Sequence, residues 1–350
     1  MARNAKSSEL FLGIEIGGTK LQIGVGAGDG KLLALDRFDV DPKRGASGIL
    51  EQIENSALVL SQRHAVKAVG IGFGGPVDST LGIVTKSHHV EGWDNYPIVD
   101  WCRRVLRLPA VLENDCDAAG LAEARFGAGR GRKAVFYVTV GTGIGGGLIL
   151  NEQIYRAGGH GAAEIGHLRP GLNADHPDQT VEALASGWGI AAAAQARLSD
   201  PISHAFVSLT TGLRSNAPDD VRQRLIETEE AETEYLADLW ERCGGKLDQV
   251  TARIVAQAAG EGNEIAREVL ARACQALGWA MAQAVTLTAP EVIVVGGGVS
   301  LMDESLFLVP IRMEVDRYVF PPLAGTYQIV PAELGEEVVV HGAVAAAAGL

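Results

Sequence analysis

The sequence predicts an α/β protein whose two lobes close over a cleft. A β-hairpin pattern, in which a glycine turn joins two strands, occurs at residues 13–26, and the same plan recurs at 134–155. Two such half-repeats indicate paired lobes. The 350 residues are enough for two domains, and a composition that is 47% hydrophobic but only 5% aromatic suits the Ala, Val and Leu core of an α/β fold.

The first glycine turn separates two stretches in which apolar residues alternate with a period of two. This alternation predicts a hairpin rather than a strand followed by a helix, and the turn carries Thr19 and Lys20. Because Gly17 and Gly18 have no side chain, a phosphate can approach the backbone N–H groups there. The turn therefore predicts a nucleotide-binding hairpin, with an ordinary ligand-free hairpin as the alternative. A Walker loop is excluded, because in that loop the lysine precedes the threonine and a helix follows.

The second glycine turn follows a predicted strand at 134–140 and occupies residues 141–147. Gly141, Gly143 and Gly146 match the dinucleotide-binding fingerprint. That fingerprint requires a helix that opens at its last glycine, whereas another apolar strand follows here. The match is therefore weak evidence for NAD.

A third glycine turn lies late in the chain. The apolar strand predicted at 291–295 ends in Gly296, Gly297 and Gly298. The carboxyl end of a buried sheet strand is a usual place for a flat ligand or a phosphate to meet the backbone. A close packing turn between a helix and a strand is the alternative.

The remaining elements follow from hydrophobic spacing along the chain. In order, the sequence predicts strands over 10–38, a helix over 46–64, a strand over 66–73, a cleft-lining loop to about 97, a helix over 99–106, a short strand at 111–112 and a helix over 116–126. Charged residues at 196–246 predict a solvated helical excursion. Alanine-rich helices are expected through 252–289, and a final helix at 342–350.

Charge and cysteine usage narrow the class of protein. A net charge of -13 without a basic stripe argues against a nucleic-acid partner, although local amides, Mg²⁺ and a lysine can still hold ATP. The four scattered cysteines suit reduced thiols in a cytoplasm. The apolar segment 278–295 contains Gln283 and Pro290, which indicates a helix and a strand rather than a membrane span. No signal-type segment precedes the first strand, so an intracellular protein without a membrane partner is expected.

The order and spacing of six motifs resemble those of the ROK family of sugar kinases, within the superfamily of actin and hexokinase. The motifs are the Gly-Gly-Thr-Lys hairpin, the segment 70–78, Glu113-Asn114-Asp115, the turn at 141–147, the segment 164–167 and the glycines 296–298. Together they cover almost the whole chain. The resemblance implies a two-lobed actin-like ATPase fold, of the ribonuclease H-like kind, with a cleft between the lobes.

The same resemblance suggests how the chain divides. Residues 1–115 and about 336–350 are expected to form a small amino-terminal lobe, and 116–335 a large lobe. The helical excursion is expected at about 196–248. The final segment is expected to pack back on the amino-terminal lobe.

Asp115 is the predicted proton acceptor for phosphoryl transfer, a reaction that demands positioning and a carboxylate beside the attacking hydroxyl. It lies where a predicted strand ends and a helix begins, and the amino terminus of a helix favours the ionised form of the acid. A structural helix N-cap, for which Asn and Asp are preferred, is the alternative. The adjacent Asn114 can both donate to and accept from sugar hydroxyls.

The resemblance implies the rest of the site. Positions matching Glu164, His167 and Glu182 contact the sugar in ROK kinases, and Gly75 belongs to the same expected sugar-binding set. The residues expected to bind ATP are Gly17, Gly18, Thr19, Lys20, Gly141, Thr142 and Gly143 at the phosphates and Gly296, Gly297 and Gly298 beside the nucleoside. The expected substrate is a hexose or hexosamine, the cofactors are ATP and Mg²⁺, and a homodimer is expected. Neither the sugar nor the choice of ATP over polyphosphate is fixed.

Two departures from the family pattern affect the metals. Many ROK proteins carry a cysteine-rich zinc motif between the positions of His167 and Glu182, but residues 168–181 contain no cysteine, so no zinc site is expected. Most family members have Asp at the position of Glu15. The longer carboxylate can still hold Mg²⁺ through water, because Mg²⁺ keeps several waters and takes one or two carboxylates.

Two other functions compete with the kinase. His160, Glu164, His167 and His176 could form a metallohydrolase site, but the zincin spacing requires a helix and the neighbouring glycines oppose one. A non-catalytic sugar sensor or regulator of ROK ancestry is the second alternative. Regulators of the family carry an amino-terminal DNA-binding domain, and only about ten residues precede the first predicted strand here, which leaves no room for a helix-turn-helix.

Overall fold

Two five-stranded sheets of matching topology form the framework of the protein. The computed structural model describes residues 9–87, 90–156, 161–171, 176, 178–199 and 219–350. The strands are β1 (Phe11–Ile16), β2 (Lys20–Gly26), β3 (Leu32–Asp39), β4 (Val69–Phe73), β5 (Val77–Asp78), β6 (Ile83–Val84), β7 (Ala110–Asn114), β8 (Ala134–Val140), β9 (Ile144–Leu150), β10 (Gln153–Ile154), β11 (Val292–Gly296) and β12 (Gln328–Pro331). The first sheet has the order β3-β2-β1-β4-β7 and the second the order β10-β9-β8-β11-β12.

Each sheet combines an antiparallel meander with parallel strands. In the first sheet, β1, β2 and β3 are antiparallel neighbours, whereas β1, β4 and β7 run parallel. In the second, β8, β9 and β10 are antiparallel neighbours, whereas β8, β11 and β12 run parallel. The repeated hairpin plan predicted from the sequence is thus confirmed. Parallel strands place their carboxyl ends at one edge of each sheet, where ligands of α/β proteins bind.

Helices pack on the faces of both sheets. They are α1 (Gly45–His64), α2 (Ile98–Val105), α3 (Asp115–Phe126), α4 (Val181–Ala185), α5 (Gly187–Ser199), α6 (Asp219–Arg242), α7 (Ala252–Gly260), α8 (Glu264–Thr288), α9 (Leu308–Tyr318) and α10 (Val338–Ala347). Helix α1 buries Ile49, Ile53 and Leu60 against the first sheet, at the helical spacing that the sequence shows. Among the described helices, none has both the length and the apolar character that a bilayer crossing requires.

The helices α3 and α10 cross at very short range beside the first sheet. A Cβ on Gly342 would lie 1.8 Å from the carbonyl oxygen of Ala118, and a Cβ on Gly70 of β4 would lie 1.8 Å from that of Ala343. Glycine is therefore required at both crossings. Helix α10 packs on β1 and β4 as expected of the carboxyl-terminal segment, although it begins at Val338 rather than at Gly342.

The glycines at 145–147 lie inside β9, and not in the turn before it where the sequence pattern places them. Close packing on both faces of this strand explains the difference. A Cβ on Gly145 would lie 2.4 Å from Cys116 Sγ, and one on Gly146 would lie 2.4 Å from the carbonyl oxygen of Ala163. A glycine run carries no hydrophobic period, so only these tertiary contacts decide that it is a strand.

Other boundaries differ by a few residues. The strand predicted from residue 66 begins at Val69, and the strand predicted at 111–112 extends over Ala110–Asn114. The helical excursion predicted at about 196–248 is described in part, because residues 200–218 lie outside the described residues. Helix α6, which lies in this segment, contributes Leu239 to a buried core cluster.

Candidate active site

Asn114 and Asp115 occupy the junction between β7 and α3. The side-chain oxygen of Asn114 accepts a hydrogen bond from the Cys116 amide at 2.8 Å, and its Nδ2 donates to the carbonyl oxygen of Gly75 at 3.1 Å. Asp115 is the first helical residue, and its Oδ1 also accepts from the Cys116 amide, at 2.9 Å. Asn114 is therefore the N-cap of α3. The N-cap role, which was the alternative considered for Asp115, is filled by Asn114 instead.

The half-buried Asp115 carboxylate lies beside the ends of β1 and β4. A Cβ on Gly74, the residue after β4, would lie 3.4 Å from Asp115 Oδ2 and 3.4 Å from the carbonyl oxygen of Ile16. Burial raises the pKa of Asp115, the hydrogen bonds from Cys116 oppose the rise, and the negative charge of Glu164 adds to it. A carboxylate with a raised pKa is a better proton acceptor than an exposed one.

The first glycine turn lies directly after β1. The amide of Gly17 donates to the carbonyl oxygen of Lys20 at 2.9 Å and closes the hairpin. Lys20 Nζ lies 3.4 Å from Glu15 Oε1, and Gln22 Nε2 donates to Glu15 Oε2 at 2.6 Å. Each carboxylate oxygen of Glu15 therefore has a polar neighbour. Burial raises the pKa of Glu15, and the charge of Lys20 opposes that rise.

These residues fit a magnesium ion held largely by water and phosphate. The Glu15 side chain is 13% exposed, so its carboxylate is held in place yet accessible. The negative charge of Asp115 also raises the pKa of Glu15, so the two acids lie near each other. In the described part of the chain, no group of three or more His, Cys, Asp and Glu side chains is arranged to hold a metal ion. The two carboxylates, Glu15 and Asp115, suit Mg²⁺, which takes one or two carboxylates.

The second and third glycine turns contact each other at the carboxyl ends of the parallel strands β8 and β11. Gly297 has a φ of +90°, and a Cβ on it would lie 2.5 Å from the carbonyl oxygen of Val140. The amide of Gly187, which opens α5, donates to the carbonyl oxygen of Gly141 at 2.8 Å. A Cβ on Gly298 would meet nothing within 4 Å. The backbone at Gly298 is therefore open to a ligand, while that at Gly297 is packed.

Gly296 differs from its two neighbours. It is the last residue of β11, and a Cβ there would lie 2.4 Å from the hydroxyl oxygen of Tyr137. This glycine fits the close-packing alternative rather than direct contact with a ligand. On the other turn, a Cβ on Gly141 would meet nothing within 4 Å, so that residue leaves room for a phosphate.

Asn114 and Glu164 line one cavity of about 50 Å³. Its wall also contains Asp117 and Arg156, and the loop after β4 contributes Pro76. Glu164 itself is exposed and precedes a short 3-10 turn at Ile165–His167. The cavity brings together two of the predicted sugar ligands and lies next to the predicted proton acceptor.

Glu182 and His167 stand apart from that cavity wall. Glu182 Oε2 accepts from the Ile144 amide at 2.8 Å, and a Cβ on Gly143 would lie 2.5 Å from the same oxygen. Its side chain is thus directed to the second glycine turn. His167 is exposed at the end of the short turn after Glu164. His160, which belongs to the alternative metal cluster, lies outside the described residues.

The sequence motifs include Glu113 but indicate neither its partner Arg156 nor the nearby Asp117. Glu113 is fully buried and forms an ion pair with Arg156, although the two are far apart in the chain. Asp117 is buried beside them. The available signal was a charged residue at an otherwise apolar strand position, followed by a second acid on the first turn of the next helix.

Comparisons with known proteins agree over nearly the whole chain. A sequence model of the ROK family matches residues 11–349. A glucokinase of Thermotoga maritima is 29% identical over 337 residues, which are 95% of this chain and 95% of the relative.

Solved structures of ROK family proteins are likewise similar to this chain over nearly its whole length. A ROK family glucokinase from Streptomyces griseus, in complex with glucose and AMPPNP, is 30% identical with a TM-score of 0.74, and covers 97% of this chain and 100% of that one. A ROK hexokinase from Thermus thermophilus is 25% identical with a TM-score of 0.72, and covers 97% of both chains. The similarity therefore extends to both sheets and to the loops between them.

Proposed function

Since this chain belongs to the ROK family, we propose that it is an ATP-dependent hexose kinase whose acceptor is glucose. It has the two-lobed, actin-like α/β fold that the sequence predicts. The match to a glucokinase over 95% of both chains supports glucose as the acceptor. The observation that carries the proposal is the Asp115 carboxylate, which lies beside Gly74 at the ends of β1 and β4, next to the first glycine turn, and has a raised pKa.

In the proposed reaction, Asp115 accepts the proton of the attacking sugar hydroxyl. Its carboxylate is fixed by the hydrogen bond from the Cys116 amide, so little reorganisation is needed when the hydroxyl arrives. Asn114, whose own amide is anchored on Gly75, and Glu164 orient the sugar from the cavity wall. His167 and Glu182 complete the proposed sugar-binding set.

The glycine turns are the proposed binding sites for ATP. The open backbone at Gly141 and Gly298 gives phosphate and nucleoside groups room to approach. Lys20 contributes a positive charge beside Glu15. When bound, Mg²⁺ neutralises charge on the phosphates, and Glu15 would hold it through water.

An ADP-release assay over a panel of sugars tests the proposal. With Mg²⁺ and ATP, we expect turnover with glucose to exceed that with mannose, fructose, N-acetylglucosamine and N-acetylmannosamine. Polyphosphate in place of ATP tests the phosphoryl donor. Sugar binding without ADP release for any sugar would contradict the kinase and support the sensor. The homodimer, the cytoplasmic location and the lobe boundaries stay predictions.

A further inference from the structure

Asp117 is an acid that the proposed reaction does not use. It lies on the first turn of α3, two residues after Asp115, and is 6% exposed. It forms part of the wall of the cavity that Asn114 and Glu164 line. Asp117 is therefore a buried acid in the wall of the cavity beside which the sugar is proposed to bind.

The guanidinium group of Arg156, which lines the same cavity, is already paired with another acid. Arg156 forms an ion pair with Glu113, and its Nε also donates to Glu113 Oε2 at 3.3 Å. Ser79 donates to the same oxygen at 3.3 Å. Glu113 thus has its own partners. Arg156 acts on Asp117 only at longer range, and that attraction is weaker than the repulsion from Glu113.

One oxygen of Asp117 has no hydrogen-bond partner. Among the buried side-chain atoms of the described residues, Asp117 Oδ1 is one of two without a donor. It lies near the backbone of Gly147, where a Cβ would be 3.2 Å from it. A buried acceptor without a donor destabilises the protein, and such atoms are rare in native structures. A ligand hydroxyl that donates to this oxygen would remove the cost.

We propose that Asp117 is a specificity-determining residue that accepts a hydrogen bond from one hydroxyl of the acceptor sugar. This inference rests on the proposed sugar site. A cavity of about 50 Å³ has room for a hydroxyl group of a bound sugar but not for a whole ring, so the ring lies at its mouth and one substituent enters. Sugars that lack a donor at that position leave the acceptor unpaired and bind more weakly.

The charge around Asp117 agrees with a ligand that donates a hydrogen bond. Burial raises the pKa of Asp117 to about 7, and the negative charges of Glu113, Glu164 and Asp115 add to the effect. An anionic substituent would be repelled by these acids, whereas a hydroxyl is accepted whether Asp117 is ionised or neutral. The site therefore favours neutral, hydroxyl-bearing sugars.

Deoxy sugars identify the hydroxyl that reaches Asp117. Calorimetry without nucleotide measures the binding of glucose, 1,5-anhydroglucitol, 2-deoxyglucose, 3-deoxyglucose and 4-deoxyglucose to the wild type, Asp117→Ala and Asp117→Asn. In the wild type, the loss of the critical hydroxyl should weaken binding about tenfold or more. In Asp117→Ala, the penalty for that one sugar should shrink to about twofold or less. Asp248→Ala, at an exposed acid distant in sequence, serves as the matched control.

The outcomes separate this inference from the proposed kinase activity. Coupling between Asp117 and a single hydroxyl supports the inference, even if a parallel assay detects no ADP release. Equal weakening of all five sugars in both variants shows a structural role and overturns it. Unchanged affinities in both variants, or no binding of any sugar to the wild type, overturn it as well. Circular dichroism confirms that each variant is folded.

Discussion

Gln22 Nε2 donates a 2.6 Å hydrogen bond to Glu15 Oε2, and the two residues face each other across the β1–β2 hairpin. Gln22 is fully buried and also donates to the carbonyl oxygen of Glu336 at 3.0 Å, just before α10. Its own oxygen accepts from Arg37 Nε at 3.0 Å. The orientation of the acid proposed to hold Mg²⁺ is therefore fixed by a buried amide that also contacts the carboxyl-terminal segment.

Replacing Gln22 by Leu should weaken cation binding. The change removes the donor to Glu15 Oε2, and a lost hydrogen bond of about 1 kcal/mol corresponds to about fivefold weaker binding. Electron paramagnetic resonance of Mn²⁺ with a non-hydrolysable ATP analogue measures this affinity without turnover. Gln52→Leu on α1, whose amide donates to the Asp39 carbonyl oxygen, is the control and should bind Mn²⁺ as the wild type does. Equal Mn²⁺ affinity in Gln22→Leu and the wild type would contradict the assignment.

The stability of Asp117→Asn relative to the wild type should depend on pH. The pKa of Asp117 in the folded protein is about 7, above its ordinary value of 3.8, so folding favours the protonated acid. That contribution is full below the lower pKa, falls as the pH rises and is lost above about 7. Asn does not titrate, so its contribution to stability does not fall as the pH rises. The melting temperature of the variant minus that of the wild type should increase from pH 5 to pH 7.5 and then level off.

Thermal melts at several pH values measure this difference. The titrating groups that do not interact with Asp117 are shared by the two proteins and cancel in the subtraction. Asp248→Asn provides the exposed control and is melted at the same pH values. A difference for Asp117→Asn that stays constant with pH would mean that Asp117 titrates normally.

The crossing of α3 and α10 makes Gly342 sensitive to substitution. In Gly342→Ala, the new Cβ would lie 1.8 Å from the Ala118 carbonyl oxygen, so the helices must separate. We expect a loss of about 3 kcal/mol in the free energy of unfolding, measured by urea denaturation. Gly260→Ala, whose Cβ would meet only Leu306 Cδ1 at 3.7 Å, should stay within about 0.5 kcal/mol of the wild type. Similar values for both variants would show that the crossing tolerates a methyl group.

The hairpins and most helices were predictable because their residues carry a period. Alternation on both sides of Gly17 and Gly18 predicts β1 and β2, and the spacing of Ile49, Ile53 and Leu60 predicts α1. These patterns depend only on residues that are close in the sequence. They can therefore be recognised without knowing which element the strand or helix packs against. Boundaries moved by up to four residues, as at Val338, since the first turn of a helix is decided by what it packs against.

The candidate site was predictable only where a motif carried it. The pairing of Glu113 with Arg156 joins residues 43 apart, and no local pattern encodes that contact. The roles of Asn114 and Asp115 could not be separated either, because both residue types suit an N-cap and only the geometry shows which one occupies it. Likewise, the contact of Lys20 with Glu15 depends on a side-chain direction that the sequence does not show.

The turnover number of Asp115→Asn with glucose and ATP tests whether Asp115 accepts the proton of the sugar hydroxyl. Asn keeps the shape of the side chain but cannot accept a proton, so kcat should fall about 100-fold to 10,000-fold. Binding of the ATP analogue should change by less than about twofold, because the glycine turns are untouched. A variant that binds the nucleotide and turns over glucose at nearly the wild-type rate would contradict the role of Asp115 as the proton acceptor.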